Sequence, residues 1–121
     1  LLQGGWRVVP FGRGVNPESS DAIAIAEYPT ENGPADYALC ADGAVLAVVE
    51  AKKLTVGPQN VLTQAERYSR GVTDSPYTYS EGFRVPFLYA TNGEVVWFHD
   101  IRNPLNRSRK VAGFHTPEAL R

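Results

Sequence analysis

Two carboxylates and a lysine stand where two apolar runs of the sequence end. Asp36 precedes the run 37–41, and Glu50 and Lys52 flank the end of the run 44–49. A pair of carboxylates brought together most often binds a divalent cation, and a neighbouring ammonium can hold a phosphate or an attacking water. The structural alternative is a buried ion pair of Lys52 with Glu50 or Asp36, since such pairs bring the same residue types together.

The two apolar runs are expected to form a β-hairpin with the charged residues at the end away from the turn. Side chains of a strand alternate between faces, so the length of the connection decides whether Asp36 and Glu50 share a face. A three-residue loop, Ala41–Gly43, pairs Cys40 with Ala44 and makes Glu50 a diagonal neighbour of Asp36. A two-residue loop would put the carboxylates on opposite faces. The metal-site hypothesis therefore predicts the three-residue loop.

The segment 59–71 has the spacing of an amphipathic helix that ends at a glycine. Val61, Ala65 and Tyr68 recur along one stripe, and Gln64 falls on the same stripe. Gln64 and Tyr68 are four positions apart, so their polar ends point from one helix face toward the end of the hairpin. Both can also be ordinary satisfied groups, with Gln64 on a strand carbonyl and Tyr68 in the core.

These motifs, in this order, resemble the PD-(D/E)xK nuclease superfamily with its additional Q-xxx-Y motif. The resemblance rests on Pro34-Ala35-Asp36, on Glu50-Ala51-Lys52 and on Gln64 with Tyr68. Over nearly the whole chain the sequence is similar to the N-terminal nuclease domain of the R (motor) subunit of type I restriction enzymes. The further segments that carry this closer similarity are Gly5–Val8, Glu27–Pro29, Asn32–Tyr37, Val49–Lys53, Gln64–Tyr68 and Pro86–Gly93.

The resemblance implies an α/β fold of the PD-(D/E)xK restriction-endonuclease-like type, a sandwich with a central mixed β-sheet flanked by helices. It also implies a Mg²⁺-dependent endonuclease that cleaves double-stranded DNA. Asp36, Glu50 and the carbonyl of Ala51 would bind the metal, and Lys52 would orient or activate water. Gln64 and Tyr68 would support the site and the DNA backbone.

The same resemblance implies that residues 1–121 are a single nuclease domain from a longer chain, with the N-terminal helix cut down to Leu1–Gln3. The implied partners are double-stranded DNA, a helicase-like motor domain of the same polypeptide, and the methylation and specificity subunits of the complex. ATP would bind only through that motor domain, because this sequence has no phosphate-binding loop motif. Glu27, in the strand before Asp36, is either a further site residue or a solvated or salt-bridged one.

Composition agrees with one soluble globular domain, since 43% of the 121 residues are hydrophobic and 21% are charged. No apolar run has the roughly twenty residues that cross a membrane, and no signal-peptide pattern is present. The single cysteine, Cys40, excludes an internal disulfide and is expected in the core, which favours a cytoplasmic protein.

A net charge of −1 is unlike that of an autonomous DNA-binding domain, so other parts of the complex would hold the DNA. One basic cluster stands out, consisting of Arg102, Arg107, Arg109 and Lys110. A solvated loop and a contact with the motor domain are the preferred interpretations of this cluster, ahead of DNA phosphates. His99 and His115 are expected at the surface or at hairpin ends, because their spacing does not suit zinc.

Further strands are expected at Trp6–Val9, at Ala22–Tyr28, where the repeats also permit helix, and on either side of an Asn92-Gly93 turn. Two other functions remain open. One is a non-catalytic docking or DNA-positioning domain of the same fold, and the other is a stand-alone resolvase or repair nuclease. The presence of Asp36, Glu50 and Lys52 together favours catalysis, because degenerate relatives usually lose one of them.

Overall fold

The centre of the protein is a mixed β-sheet, seen here in a computed structural model. The structure describes residues 5–12, 22–41, 44–51, 65–72, 83–91, 95–103 and 105–120. In these residues seven strands lie side by side in the order in which they occur along the chain. β1 is parallel to β2 and β4 is parallel to β5, whereas all other neighbours are antiparallel. The predicted α/β class with a mixed sheet is confirmed at this level, although the described helices are few and short.

The strands are β1 Arg7–Pro10, β2 Ile23–Thr30, β3 Gly33–Ala41, β4 Ala44–Ala51, β5 Phe87–Thr91, β6 Val96–Asp100 and β7 Arg109–Val111. Residues 65–70 are helical and are called α1 here, and a second short helix, α2, spans Pro117–Leu120.

Most sequence-based expectations for the elements are confirmed. Ala22–Tyr28, for which helix was also permitted, is a strand, and the part of segment 59–71 that the structure describes is helical up to residue 70. β7 and α2 were not expected. The first part of the predicted helix, the Asn92-Gly93 turn and Leu1–Gln3 lie outside the described residues.

The predicted length of the loop in the β3–β4 hairpin is wrong, although the requirement that Asp36 and Glu50 share a face is met. Ala41 pairs with Ala44, so two residues separate the strands, not three. The register then shifts by one, because Cys40 pairs with Val45 but Leu39 pairs with Ala47. The extra residue, Leu46, forms a bulge in β4. Because a bulge reverses the alternation beyond it, Asp36 and Glu50 still share a face.

Apolar side chains are buried on both faces of the sheet. On one face, called face A, Ala38, Val48 and Leu88 pack with Ala65 of α1. The other face, called face B, is covered by Trp6 and by the C-terminal segment 114–120, which contributes Phe114 and Leu120. Strands buried on both sides are apolar nearly throughout, as the runs of β3 and β4 are. Neither helical stretch in the described parts of the chain has the length or apolar character needed to cross a membrane.

Candidate metal and nuclease site

Asp36 and Glu50 meet at the open end of the β3–β4 hairpin. The N–H of Asp36 donates to Glu50 Oε1 over 3.0 Å, and the N–H of Ala51 donates to Asp36 Oδ2 over 2.7 Å. Tyr37 pairs with Val49, so the next residues of the two strands, Asp36 and Glu50, are directly opposite. Each carboxylate therefore bonds to the backbone of the opposite strand, which holds the two side chains next to each other.

Burial differs between the two acids. The side chain of Glu50 is only 1% exposed, whereas that of Asp36 is half-buried and Ala51 is exposed. A buried carboxylate is costly unless polar or cationic groups compensate for its lost hydration. Glu50 is next to Ala90 of β5 in the register, in the middle of the sheet. Glu50 lies near the carboxyl end of this central strand, where its side chain accepts from the N–H of the half-buried Asp36.

Other predicted members of the site are described only in part. Lys52 and Gln64 lie outside the described residues. Tyr68, in α1, is half-buried and packs against the face A core. Glu50 is expected on that face too, since its neighbour in the register, Ala90, belongs to the face A core, and Asp36 lies directly across from Glu50. The structure thus brings Asp36, Glu50 and Ala51 together and places Tyr68 on the same side of the sheet.

Glu27 lies opposite Asp36 on the other neighbouring strand. Ala26 pairs with Tyr37 and Tyr28 pairs with Ala35, so Glu27 is the residue between them. Its φ of 54° is in the left-handed region, which non-glycine residues rarely adopt, and its side chain is exposed. Among the described residues, no group of three or more His, Cys, Asp or Glu side chains could hold a metal ion. Glu27 is thus adjacent in register but does not complete a ligand cluster.

The turn between β2 and β3 contacts the end of α1, an arrangement that sequence analysis did not find. Asn32 Nδ2 donates to the carbonyl of Arg67 over 2.8 Å, and the N–H of Glu31 donates to the carbonyl of Gly71 over 2.8 Å. The ring of Tyr68 lies against Gly33. The only available sequence signals were the turn residues Asn32-Gly33 and the helix-ending Gly71, and neither indicates that the two segments touch.

A second polar cluster lies on face B. Tyr89, which is fully buried, forms a 2.6 Å hydrogen bond between its hydroxyl and Nδ1 of His115. Trp6 Nε1 donates to the carbonyl of His115 over 2.9 Å. Burial raises the pKa of Tyr89, so the phenol keeps its proton, while burial and, secondarily, the charge of Arg109 lower the pKa of His115. His115 is half-buried, so the expected surface position is met only in part, because its ring packs against Tyr89 and Phe98.

Three residues of the basic cluster, Arg102, Arg107 and Arg109, lie on face B, away from the two acids, whereas Lys110 pairs with Trp97, which packs against the face A core. Arg102 forms a bidentate pair with Asp100, with distances of 2.9 and 2.7 Å, and this hydrogen bonding lowers the pKa of Asp100. Arg109 pairs with Phe98 in the sheet and lies over its ring, 5.6 Å from the centroid. A cleft of about 280 Å³ opens between Arg107 and Arg109. The interpretations of this cluster as a solvated loop or as a contact with the motor domain stay predictions.

Cys40 is a core residue, as predicted. Its thiol is fully buried, and burial raises its pKa to about 12. Since the thiolate is the reactive form of cysteine, this side chain is inert at neutral pH.

Comparison with known proteins identifies the family. The family described as "Type I restriction enzyme EcoKI endonuclease subunit second domain" matches residues 7–121. The chain belongs to this family. Its resemblance to a domain of the type I restriction enzyme R subunit is thereby confirmed.

A curated relative of this type I restriction enzyme domain is the type I restriction enzyme EcoKI endonuclease subunit of Escherichia coli (strain K12). The two sequences are 28% identical over 167 aligned residues, which cover 99% of this chain and 14% of the relative. The chain therefore spans a small part of the length of that relative. No solved structure matches the chain.

The paired acids of this type I restriction enzyme domain fit the Mg²⁺ that the sequence resemblance implies. Mg²⁺ prefers hard oxygen ligands and usually binds through one or two carboxylates while keeping several waters. Asp36 and Glu50 supply two adjacent carboxylates, one of them buried.

Proposed function

We propose that this chain is a PD-(D/E)xK nuclease domain that cleaves double-stranded DNA with Mg²⁺ as part of a cytoplasmic type I restriction–modification complex. The observation that supports this most directly is the reciprocal bonding of Asp36 and Glu50 at the end of the hairpin. The chain also belongs to a family named for an endonuclease subunit, which supports a role of the two acids in DNA cleavage. The mixed sheet with α1 on one face is compatible with the restriction-endonuclease-like sandwich.

Asp36 and Glu50 bind the metal in this proposal, together with the carbonyl of Ala51. When bound, Mg²⁺ provides a stronger water nucleophile at neutral pH and stabilises the negative charge that develops at the phosphate. The backbone bonds to Asp36 Oδ2 and Glu50 Oε1 fix both carboxylates before DNA arrives. Such preorganisation avoids reorganisation of the site during the reaction.

The remaining site residues act on water and DNA. Lys52, two residues after Glu50 in the sequence, orients or activates the attacking water. Gln64 and Tyr68 support the site and the DNA backbone, and Tyr68 does so from α1. Tyr68 suits this role because its ring is packed while the side chain is only half-buried.

Other parts of the complex would supply ATP-driven movement and most of the DNA binding. We propose that residues 1–121 form one nuclease domain and that a helicase-like motor domain of the same polypeptide uses ATP. The motor and specificity components would hold the DNA, the methylation subunit would be a further partner, and the DNA sequence would be read by another subunit. The net charge of −1 supports this division, since sequence-independent DNA binding depends on a surplus of Lys and Arg.

Cleavage by the complete complex tests the proposal. Asp36→Asn should abolish cleavage while leaving DNA binding and ATP hydrolysis intact, because it removes the charge of a metal ligand from this domain and nearly keeps the shape of the side chain. The matched control is Asp100→Asn, which removes a carboxylate from the opposite face of the same sheet. This control should cleave at close to the wild-type rate. Normal cleavage by Asp36→Asn would instead favour a docking or DNA-positioning domain.

A further inference from the structure

The turn between β2 and β3 is bound to the C-terminal end of α1 through both backbone and side chains. Asn32 Nδ2 donates to the carbonyl of Arg67 over 2.8 Å, and Arg67 Nη2 donates back to the carbonyl of Asn32 over 3.3 Å. The N–H of Glu31 donates to the carbonyl of Gly71 over 2.8 Å. These bonds satisfy carbonyls at the helix end that have no partner within the helix.

Gly71 allows this close approach. A Cβ at position 71 would lie 2.9 Å from the backbone nitrogen of Asn32 and 3.0 Å from that of Glu31. Both atoms belong to the backbone, so a larger residue would push the turn and the helix apart. Gly71, which follows the last residue of α1, is therefore also the residue on which the β2–β3 turn packs.

Gly33 brings the same turn against Tyr68. Its φ is 115°, and a Cβ there would lie 3.2 Å from Tyr68 Cε1 and 3.8 Å from the Tyr68 hydroxyl oxygen. The turn is itself braced by Thr30, whose hydroxyl donates to the carbonyl of Gly33 over 2.6 Å and accepts from the N–H of Asn32 over 3.1 Å. The phenol of Tyr68 thus rests on the first residue of β3.

From this geometry we infer that Asn32 and Gly71 are positioning residues for Tyr68. β3 runs from Gly33 directly to Asp36, so the turn links the helix that bears Tyr68 to the strand that bears a metal ligand. The inference rests on the proposed nuclease function. Asn32 does not touch DNA in this view but sets where the Tyr68 hydroxyl lies relative to the paired acids.

The test is a double-mutant cycle in the complete complex, with kcat and KM for DNA cleavage measured for Asn32→Ala, Tyr68→Phe and the double variant. Asn32→Ala should lower kcat about tenfold with little change in KM, since small misplacements at an active site are costly. Tyr68→Phe keeps the ring on Gly33 and deletes the hydroxyl. In that background Asn32→Ala should have almost no further effect, because the group that it positions is gone.

Asn106→Ala is the matched control. Asn106 is also exposed, and its Nδ2 donates to the backbone carbonyl of Asp100 over 3.0 Å, but at the face B cleft. This variant should cleave normally. Gly71→Ala is a second, independent way to separate the turn from α1, and it should reproduce the Asn32→Ala defect and its dependence on the Tyr68 hydroxyl.

Three results would overturn the inference. They are normal kcat in Asn32→Ala, normal kcat in Tyr68→Phe, and an equal loss from Asn32→Ala with and without the Tyr68 hydroxyl. General loss of folded protein gives the last of these patterns, so it cannot imitate the expected cancellation. Asp36→Asn, measured in parallel, separates the two levels of argument. If Asp36→Asn cleaves normally, the nuclease proposal itself fails. If Asp36→Asn is inactive while the Asn32 variant cleaves normally, only the positioning role is wrong.

Discussion

The N–H of Asp36 donates to Glu50 Oε1 over 3.0 Å, so the strand that bears one acid is bonded to the side chain of the other. The return bond, from the N–H of Ala51 to Asp36 Oδ2, is 2.7 Å long. The two carboxylates therefore act as part of the pairing of β3 with β4 at the open end of the hairpin. A change at either acid alters both a metal ligand and a bond between the strands.

Metal binding is the first testable consequence. Mg²⁺ or Mn²⁺ should raise the melting temperature of the full subunit slightly, because a ligand that binds only the folded state stabilises it. The effect should be weak, since the domain offers few protein ligands and Mg²⁺ retains its waters. Asp36→Asn should abolish the shift and Asp100→Asn should keep it. Metal density in soaked crystals that touches neither Asp36 nor Glu50 would contradict the ligand assignment.

Lys52→Ala should abolish cleavage in the complete complex while leaving translocation driven by ATP unchanged. The ammonium is proposed to act on water at the phosphate and to contribute little to the core. Thermal unfolding of the variant should therefore match that of the wild type. If Lys52→Ala unfolds the protein, the buried ion-pair interpretation is correct, because removing one partner of such a pair costs about 3–5 kcal/mol.

Gln64→Ala and Tyr68→Phe should each slow cleavage with little loss of stability. For Tyr68 the reason is structural, since the phenylalanine ring can keep the packing on Gly33 and on the face A core. Rapid-quench cleavage kinetics and thermal melts on the same preparations would measure both effects. Unchanged kinetics for either variant would remove that residue from the site and leave the others in place.

Stability should fall as pH drops below neutral, in part because of His115. Burial and the charge of Arg109 lower its pKa, so folding favours the neutral imidazole, which is hydrogen-bonded to the Tyr89 hydroxyl. The contribution of neutral His115 to the free energy of unfolding is complete above the unfolded-state pKa of 6.5. It is lost as pH falls through that value toward the lower pKa of the folded state. Urea midpoints at pH 7.5 and 5.5 should therefore differ less for His115→Gln than for the wild type. An equal difference would show that protonating His115 costs nothing.

The pattern of the sequence was sufficient for the hairpin and its acids because that information is local. Apolar runs, turn residues and the charges at their ends lie within a short stretch of chain, from Asp36 to Lys52. The helix up to residue 70 was equally readable from its spacing. The connection was misassigned because loop length and a bulge can produce the same facing of Asp36 and Glu50, and the sequence gives only the net parity.

Contacts between distant segments could not be predicted. Asn32 and Arg67 are 35 positions apart, and nothing in either neighbourhood specifies the other. Tyr89 and His115 are 26 positions apart, and they meet only because the C-terminal segment covers face B. The expectation for His115 was based on the absence of a second ligand at metal spacing, and that argument says nothing of its contact with Tyr89.

Because of the bulge at Leu46, the opposed arrangement of Asp36 and Glu50 does not require one fixed number of residues between them. Deleting Leu46 would leave a regular hairpin in which the glutamate after Val49 still lies across from Asp36, because the bulge adds a residue without a partner. Relatives whose acids are one position closer can thus present the same pair. A motif search with a rigid interval would discard them, whereas one that tolerates a single-residue gap within this strand would retain them.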